Sequence, residues 1–292
     1  MGFTIKELET LSGIKAHTIR IWEQRYQFLK PTRTATNIRR YSNEELKTVL
    51  TVALLNKYGY KISKIDEMRP DQRNLEVLNL PDSKAQSENI VNEMIGCMVG
   101  LEIEKLELLF QKQIDQHGIE YTIKVIVFQF LEKTGILWQT GRINPAHEHI
   151  VSNIIRQKLV AAIDRLSLPT ASNPLFLLLL PEGEYHELGL LFVSYLLKQK
   201  GVPVIYLGAN VPLKDADYVV EIKHPDFLYF HLTTTPSGTQ FQKFISNLGK
   251  NYPQCKVLIS GSTAPGFAKA LPPNVTLLQS LSQVLAYIST LS

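Results

Sequence analysis

The stretch NPLFLLLLPEGEYHELG, Asn173 to Gly189, decides the fold. It opens on an apolar run that is continuous rather than alternating, as a strand buried on both faces requires. It then turns polar at once, with Glu184 and Glu187 flanking His186 just past the strand's end. Taken alone, EYHELG is a weak signal, because a histidine near a helix start often makes only a local hydrogen bond. HELGL over 186–190 is not the His-Glu-x-x-His of zinc proteases, since residue 190 is leucine. Its meaning depends on what the rest of the chain is.

Working outward, LFLLLL (175–180) is followed by VPVIYL (202–207), DFLYFHL (226–232), CKVLIS (255–260) and VTLLQ (275–279). Helical patterns separate these short apolar runs. Five strands alternating with helices predict a doubly wound parallel sheet, a flavodoxin-like domain over 175–292. SLPTASNP, 167–174, reads as a linker. From Ser83 to about Leu166 the pattern is helical, with candidate helices at 83–98, 101–116, 118–136 and 146–166. Breaks at Gly100, Gly118 and GRINP separate them, which predicts an antiparallel four-helix bundle over 83–166. PDQRNLEVLNLPD, 70–82, bracketed by prolines, reads as a second linker.

Residues 1–69 read as short helices with a polar interruption. FTIKELETLSG places Ile5, Leu8 and Leu11 on one face before a turn at Gly13. In KAHTIRIWEQRY, Ile19 and Trp22 face inward while His17, Arg20 and Arg25 face out. A first helix, a glycine turn and a second, basic helix have helix-turn-helix spacing. LKPTRTATNIRRYS is too rich in Pro, Thr and Arg for a core element and predicts a β-ribbon, or wing. Ser42 with Glu45 forms a capping box for a helix that ends at Gly59. The expected class is therefore multidomain α+β: winged helix-turn-helix (1–69), four-helix bundle (83–166), Rossmann-type α/β domain (175–292).

Charge follows the same division. The 292 residues carry a net +4, yet residues 1–69 hold 13 Lys+Arg against 7 Asp+Glu, leaving 18 against 20 for the remainder. A basic head on a near-neutral body points to nucleic acid or an acidic surface; an ordinary solvated face is the plainer alternative. No apolar run reaches the ~18 to 20 residues that span a bilayer. MGFTIKELETLSG lacks a signal-peptide core, and MGFTIK departs from an N-myristoylation pattern at Lys6. Cys97 and Cys255, far apart and without metal-ligand spacing, predict a reducing cytoplasm.

FTIKELETLSGIKAHTIRIWEQRY, then PTRTATNIRRYS, then a long helix together resemble the MerR family of winged-helix regulators. The resemblance implies a second helix that enters the major groove, a wing on the phosphates, and a dimer or tetramer on a palindromic double-stranded DNA operator. It places His17, Thr18, Arg20 and Arg25 on or near the reading helix, and Tyr26, Arg33, Arg39, Arg40 and Tyr41 at the phosphates and wing. Arginine suits both guanine edges and phosphates. Tyr26 and Tyr41 also suit a core or wing-packing role, and Trp22 is the better core residue.

The C-terminal block resembles cobalamin-binding domains, whose signature after the first strand is Asp or Glu, any residue, His, two residues, Gly. Glu184-Tyr185-His186-Glu187-Leu188-Gly189 fits it. A neutral imidazole is a good cobalt ligand, and a carboxylate two residues earlier can hold its other nitrogen. Gly189 is expected to leave room for the cofactor's tail. In LWQTGRINPAHEH, nine residues separate Trp138 from Glu148-His149. That spacing resembles the cobalamin-dependent, light-sensing MerR repressors of the CarH type. There Trp138, Glu148 and His149 would cover the upper face of adenosylcobalamin, with His149 able to take cobalt after illumination and His186 as the lower ligand. Trp138 alone would also suit a bundle core, and His147-x-His149 a capping feature or an adventitious metal pair without a third ligand.

The resemblance is imperfect at two places. Cobalamin domains that bury the nucleotide tail carry Ser-x-Leu after the third strand and Gly-Gly after the fourth. Here His231-Leu232-Thr233, followed by Thr234 and Thr235, and Ser260-Gly261 stand instead. Thr233 or Thr234 offers a hydroxyl and Gly261 remains as a tail contact. The reading is a non-enzymatic DNA-binding repressor controlled by adenosylcobalamin and light. Its rivals are a MerR-type regulator whose sensor has lost cobalamin, and a corrinoid enzyme or methyl shuttle.

Overall fold

A computed structural model describes residues 2–139, 143–167, 174–234, 238–262 and 271–291. Most of the 167–174 linker, part of the GRINP break and Thr235 lie outside these. The chain divides into two compact units, Met1–Ile154 and Ile155–Ser292.

In the first unit, helix α1 (Ile5–Ser12) starts at a Thr4–Glu7 capping box and stops at Gly13, whose φ of 74° gives the left-handed turn expected there. Helix α2 (Ala16–Arg25) buries Ile19 and Trp22. Strands β1 (Thr32–Arg33) and β2 (Arg39–Arg40) pair antiparallel as the wing, with Thr32 opposite Arg40. Helix α3 (Asn43–Lys57) begins at the Ser42–Glu45 box. Helix α4 (Ile62–Glu67) follows.

The expected linker over 70–82 is instead mostly helix α5 (Pro70–Leu78). Pro70 sits in its first turn, where a missing N–H costs nothing, and the Arg69 N–H is capped by Gln72 Oε1 at 2.9 Å. Val77 joins Trp22, Leu54, Leu55 and Ile65 in one apolar cluster, so α5 is an integral part of the head.

Helices α6 (Ser83–Gly100), α7 (Ile103–Tyr121), α8 (Phe128–Gln139) and α9 (Pro145–Asp164) follow where four helices were expected, and α6 packs against α7 and α8. Gly118, at φ 80°, kinks the chain, and a π-helical segment (Thr122–Val127) leads into α8. Phe110 and Phe130 meet edge to face in the core. Helix α3 packs against α6, and Lys47 bridges Glu102 at 3.1 Å. The division between the units falls within α9.

The second unit is built on strands β3 (Phe176–Pro181), β4 (Val204–Val211), β5 (Phe227–His231), β6 (Lys256–Ser260) and β7 (Val275–Leu278). All four pairings are parallel and the spatial order is β4-β3-β5-β6-β7. Counted within the unit this is 2-1-3-4-5, the flavodoxin-like order. Helices α10 (Leu188–Gln199), α11 (Leu213–Lys223) and α12 (Gly238–Asn251) separate β3 to β6 and α13 (Leu281–Ser289) follows β7; the helical pattern expected between β6 and β7 falls on 263–270, outside the described residues. Leu177 to Leu180 and Leu228 to Phe230 are buried, as their unbroken apolar runs require. Strand order reverses between β3 and β5, and open α/β sheets bind ligands at the carboxyl ends of the strands at such a point. No helix among the described residues is long and apolar enough to cross a membrane.

Candidate nucleic-acid interface and ligand site

Helix α2 presents His17, Arg20 and Arg25 to solvent, with Thr18 half-buried. Tyr26, half-buried at the helix end, stacks on Phe28 with ring centroids 5.8 Å apart. The wing is tied back to α2 by a residue that composition gave no reason to single out. Glu23 accepts from Arg39 Nε at 2.6 Å and from Arg33 Nη2 at 3.2 Å. That hydrogen bond raises the Arg39 pKa above its ordinary value despite burial. Arg33 is otherwise exposed and also bonds Asn37 Oδ1 at 2.9 Å. Arg40, half-buried, donates to the Gly2 carbonyl at 3.3 Å.

Tyr41 does not join the phosphate-facing set. It is completely buried, its backbone bridges Phe3, and its hydroxyl lies 3.5 Å from Glu23 Oε2. Burial first, and the Glu23 charge next, push its hydroxyl up to about 12. Packing of the wing base against the N-terminal strand residue decides this, since a flat apolar ring is worth more inside than at a sugar.

In the second unit, the loop after β3 carries Glu184 and His186, and the loop after β5 carries Thr233 and Thr234. The two meet at the switch point. Glu184 is buried, and its carboxylate accepts from the His186 N–H (3.0 Å) and His186 Nδ1 (2.6 Å) through one oxygen. The other oxygen accepts from the N–H groups of Thr233 (2.9 Å) and Thr234 (2.8 Å) and from Thr234 Oγ1 (2.9 Å). Burial opposes ionisation, but the donors, with the Thr234 N–H foremost, outweigh it and hold the carboxyl down at about 2. A fixed carboxylate fixes the imidazole. With Nδ1–H given to Glu184, His186 keeps the Nε2 lone pair for a metal, and its side chain is 55% exposed. These residues fit a cobalt ligand and its supporting carboxylate.

Gly189 does not provide the open space expected of it. A Cβ there would overlap the His231 imidazole, which already covers the glycine. Gly261, at φ 110°, is pressed against the Leu232 backbone and serves the close approach of two strand ends. Thr233 gives its backbone N–H to Glu184 at 2.9 Å.

His231 is held by Ser260 Oγ at 2.9 Å from Nδ1, and Ser260 Oγ lies 2.6 Å from the Tyr229 hydroxyl. Burial lowers the His231 pKa to about 4, which keeps the ring neutral. Glu187, next to the candidate ligand, pairs with Arg156 and accepts from the Tyr206 hydroxyl at 3.1 Å.

Trp138, Glu148 and His149 belong to the first unit. Trp138 is 56% exposed, so it is not a bundle-core residue. Glu148 Oε2 lies 3.1 Å from His149 Nδ1, and its other oxygen accepts from Ser152 Oγ at 2.5 Å. His149 therefore stands within ion-pair distance of a neighbouring carboxylate, with its side chain 72% exposed. His147 instead turns Nδ1 to the Asn144 backbone at the helix start. Among the described residues no cluster of three or more His, Cys, Asp or Glu could hold a metal by itself.

A winged helix-turn-helix head, a run of long helices and a parallel sheet with one tethered, exposed histidine at its switch point are the parts of a DNA-binding regulator. Residues 3–72 match the MerR HTH family regulatory protein model, and that segment is a MerR HTH domain. The chain is homologous to the HTH-type transcriptional repressor CarA of Myxococcus xanthus, 28% identical over 274 residues, covering 93% of this chain and 90% of that protein. It is 25% identical over 261 residues to the HTH-type transcriptional repressor CarH of the same organism, covering 87% of each. The monomethylamine corrinoid protein of Methanosarcina barkeri shares the fold, with a TM-score of 0.54 at 13% identity over 70% of this chain and 99% of that one.

Proposed function

We propose that this protein is a cytoplasmic, cobalamin-responsive transcriptional repressor. The observation that carries the reading is His186. It stands exposed at the sheet's switch point with Nδ1 bound to a carboxylate held by four other donor contacts, in a chain that opens with a MerR HTH domain. Cobalamin would supply a cobalt centre that can take an imidazole ligand and, in its adenosyl form, a Co–C bond that light can break. His186 would hold cobalt from below, and Glu184 would keep its tautomer and raise its basicity. Trp138, Glu148 and His149 would shield the adenosyl group of such a cofactor, and the His149 imidazole could also serve as a cobalt ligand. The exposed arginines of α2 would read base edges, and Arg33 and Arg40 would meet phosphates.

The head would bind as a dimer or tetramer on a palindromic operator, because a MerR-type reader has one reading helix per chain. Losing simultaneous engagement of several heads would lower affinity by roughly 10² to 10⁴, enough to release DNA without altering any single contact. A corrinoid enzyme is the weaker reading, since the curated homologues are transcriptional repressors. The test is an absorbance spectrum after incubation with adenosylcobalamin in darkness and gel filtration, repeated after green light. Retained corrin absorbance that shifts on illumination and is lost in His186→Ala supports the reading; wild-type protein that retains no corrin overturns it.

A further inference from the structure

A histidine that takes the lower axial position of a cobalamin displaces the nucleotide base, and the displaced tail must either find a cleft or remain in water. The sequence offers Gly189 as the floor of such a cleft, since it lies in the first turn of α10, three residues beyond His186. That cleft is filled by the chain itself. The His231 ring lies over Gly189 closely enough to exclude even a methyl group.

The ring is also anchored. His231 Nδ1, Ser260 Oγ and the hydroxyl of fully buried Tyr229 form a continuous hydrogen-bonded chain across β5 and β6. At the next strand end Gly261 is packed against the Leu232 backbone. The Thr234 hydroxyl is committed to Glu184. A base entering here would break the chain and leave buried polar atoms without partners, which costs more than the bond they lose. Binding of the tail would then be offset by that cost, and discrimination in its favour would vanish.

Resting on the cobalamin reading above, we infer that this chain recognises the corrin ring and its cobalt but not the nucleotide tail. Its ligand class is corrinoids in general, tail-less cobinamides included, and His231 is the residue that sets this specificity. The side chain of His231 takes the place of a ligand group, so the site is complete without one.

The experiment is a dark titration of the full chain with adenosylcobalamin and, separately, adenosylcobinamide, followed by absorbance. The expected dissociation constants agree within about threefold, and His231→Ser tightens cobalamin by about tenfold or more while cobinamide stays within about threefold. A wild-type preference for cobalamin of about tenfold or more overturns the inference and leaves the cobalamin reading intact. So does a folded His231→Ser variant with an unchanged ratio. Should that variant not fold, the wild-type ratio decides by itself. If neither corrinoid binds, the cobalamin reading fails and this inference falls with it.

Discussion

Glu23 Oε2 lies 2.6 Å from Arg39 Nε, and this contact, with the longer one from Arg33, ties the wing to the helix that would read DNA. Glu23 is largely buried, at 14% side-chain exposure, and Arg39 is 23% exposed. Removing one partner of such a pair strands the other, so Glu23→Ala is expected to lower stability by about 1–2 kcal/mol, between the surface and buried limits. Urea unfolding measures it. A loss below about 0.5 kcal/mol would show that the wing is held by Tyr41 packing alone.

The two wing arginines differ in what they can give up. The Arg33–Glu23 pair is more open, with Arg33 at 42% exposure, and an exposed pair is worth little. Arg33 can exchange Glu23 for a phosphate. Arg33→Ala is expected to reduce the salt dependence of DNA binding by about one counterion, whereas Arg20→Ala relaxes sequence preference at a cost of about 1–3 kcal/mol. Binding isotherms at several salt concentrations, on matched and altered duplexes, separate the two. Equal effects on all sequences from Arg20→Ala would remove it from the base-reading face.

Tyr41 supplies the complementary control. Because its ring is buried and its hydroxyl makes only a long contact to Glu23, Tyr41→Phe is expected to leave DNA affinity within about twofold. A larger fall in fluorescence-anisotropy affinity would return the hydroxyl to the phosphate contacts.

At the ligand site, Glu184 acts through His186. Residues that orient a metal ligand typically matter by about 10- to 100-fold in metal affinity, so Glu184→Gln is expected to weaken corrinoid retention by that range. The Thr233 and Thr234 N–H groups would remain bonded to the amide oxygen, so the loop keeps its shape. The reading is sunk if His186→Ala weakens retention while Glu184→Gln leaves it untouched.

Much of the fold was legible because its causes are local. Unbroken apolar runs mark strands buried on both faces, and Ser42 with Glu45 marks a helix start in three residues of chain. Helix α5 was misread because prolines at both ends look like punctuation, although Pro70 stands where a helix tolerates it best. The motif EYHELG identified Glu184 and His186 because ligand and carboxylate are two residues apart. What it could not reveal is what fills the space beside it. His231 reaches Gly189 across 42 positions of chain, and Thr234 reaches Glu184 across 50. Glu23 was hidden for the same reason, since its partners are Arg33 and Arg39 on another element.

His231 makes stability depend on pH in a defined direction. Burial holds it at about 4, against an ordinary 6.5, with Glu184 opposing and His186 reinforcing the shift. As pH falls through 6.5 the unfolded chain takes up a proton that the folded chain refuses, so stability declines. The decline ends near pH 4, where the folded ring also protonates. The full span is at most about 3.4 kcal/mol, from 1.36 kcal/mol per pKa unit over about 2.5 units. Glu184, depressed to about 2, adds its own loss only below its ordinary value near 4.5, so the window from pH 6.5 to 5 isolates the histidine. His231→Asn, which is uncharged throughout, is expected to flatten stability across that window. Urea midpoints at pH 7, 6 and 5 for both proteins decide it. Parallel slopes would mean that His231 titrates freely in the folded state, and that the ring does not stay locked between Ser260 and Gly189.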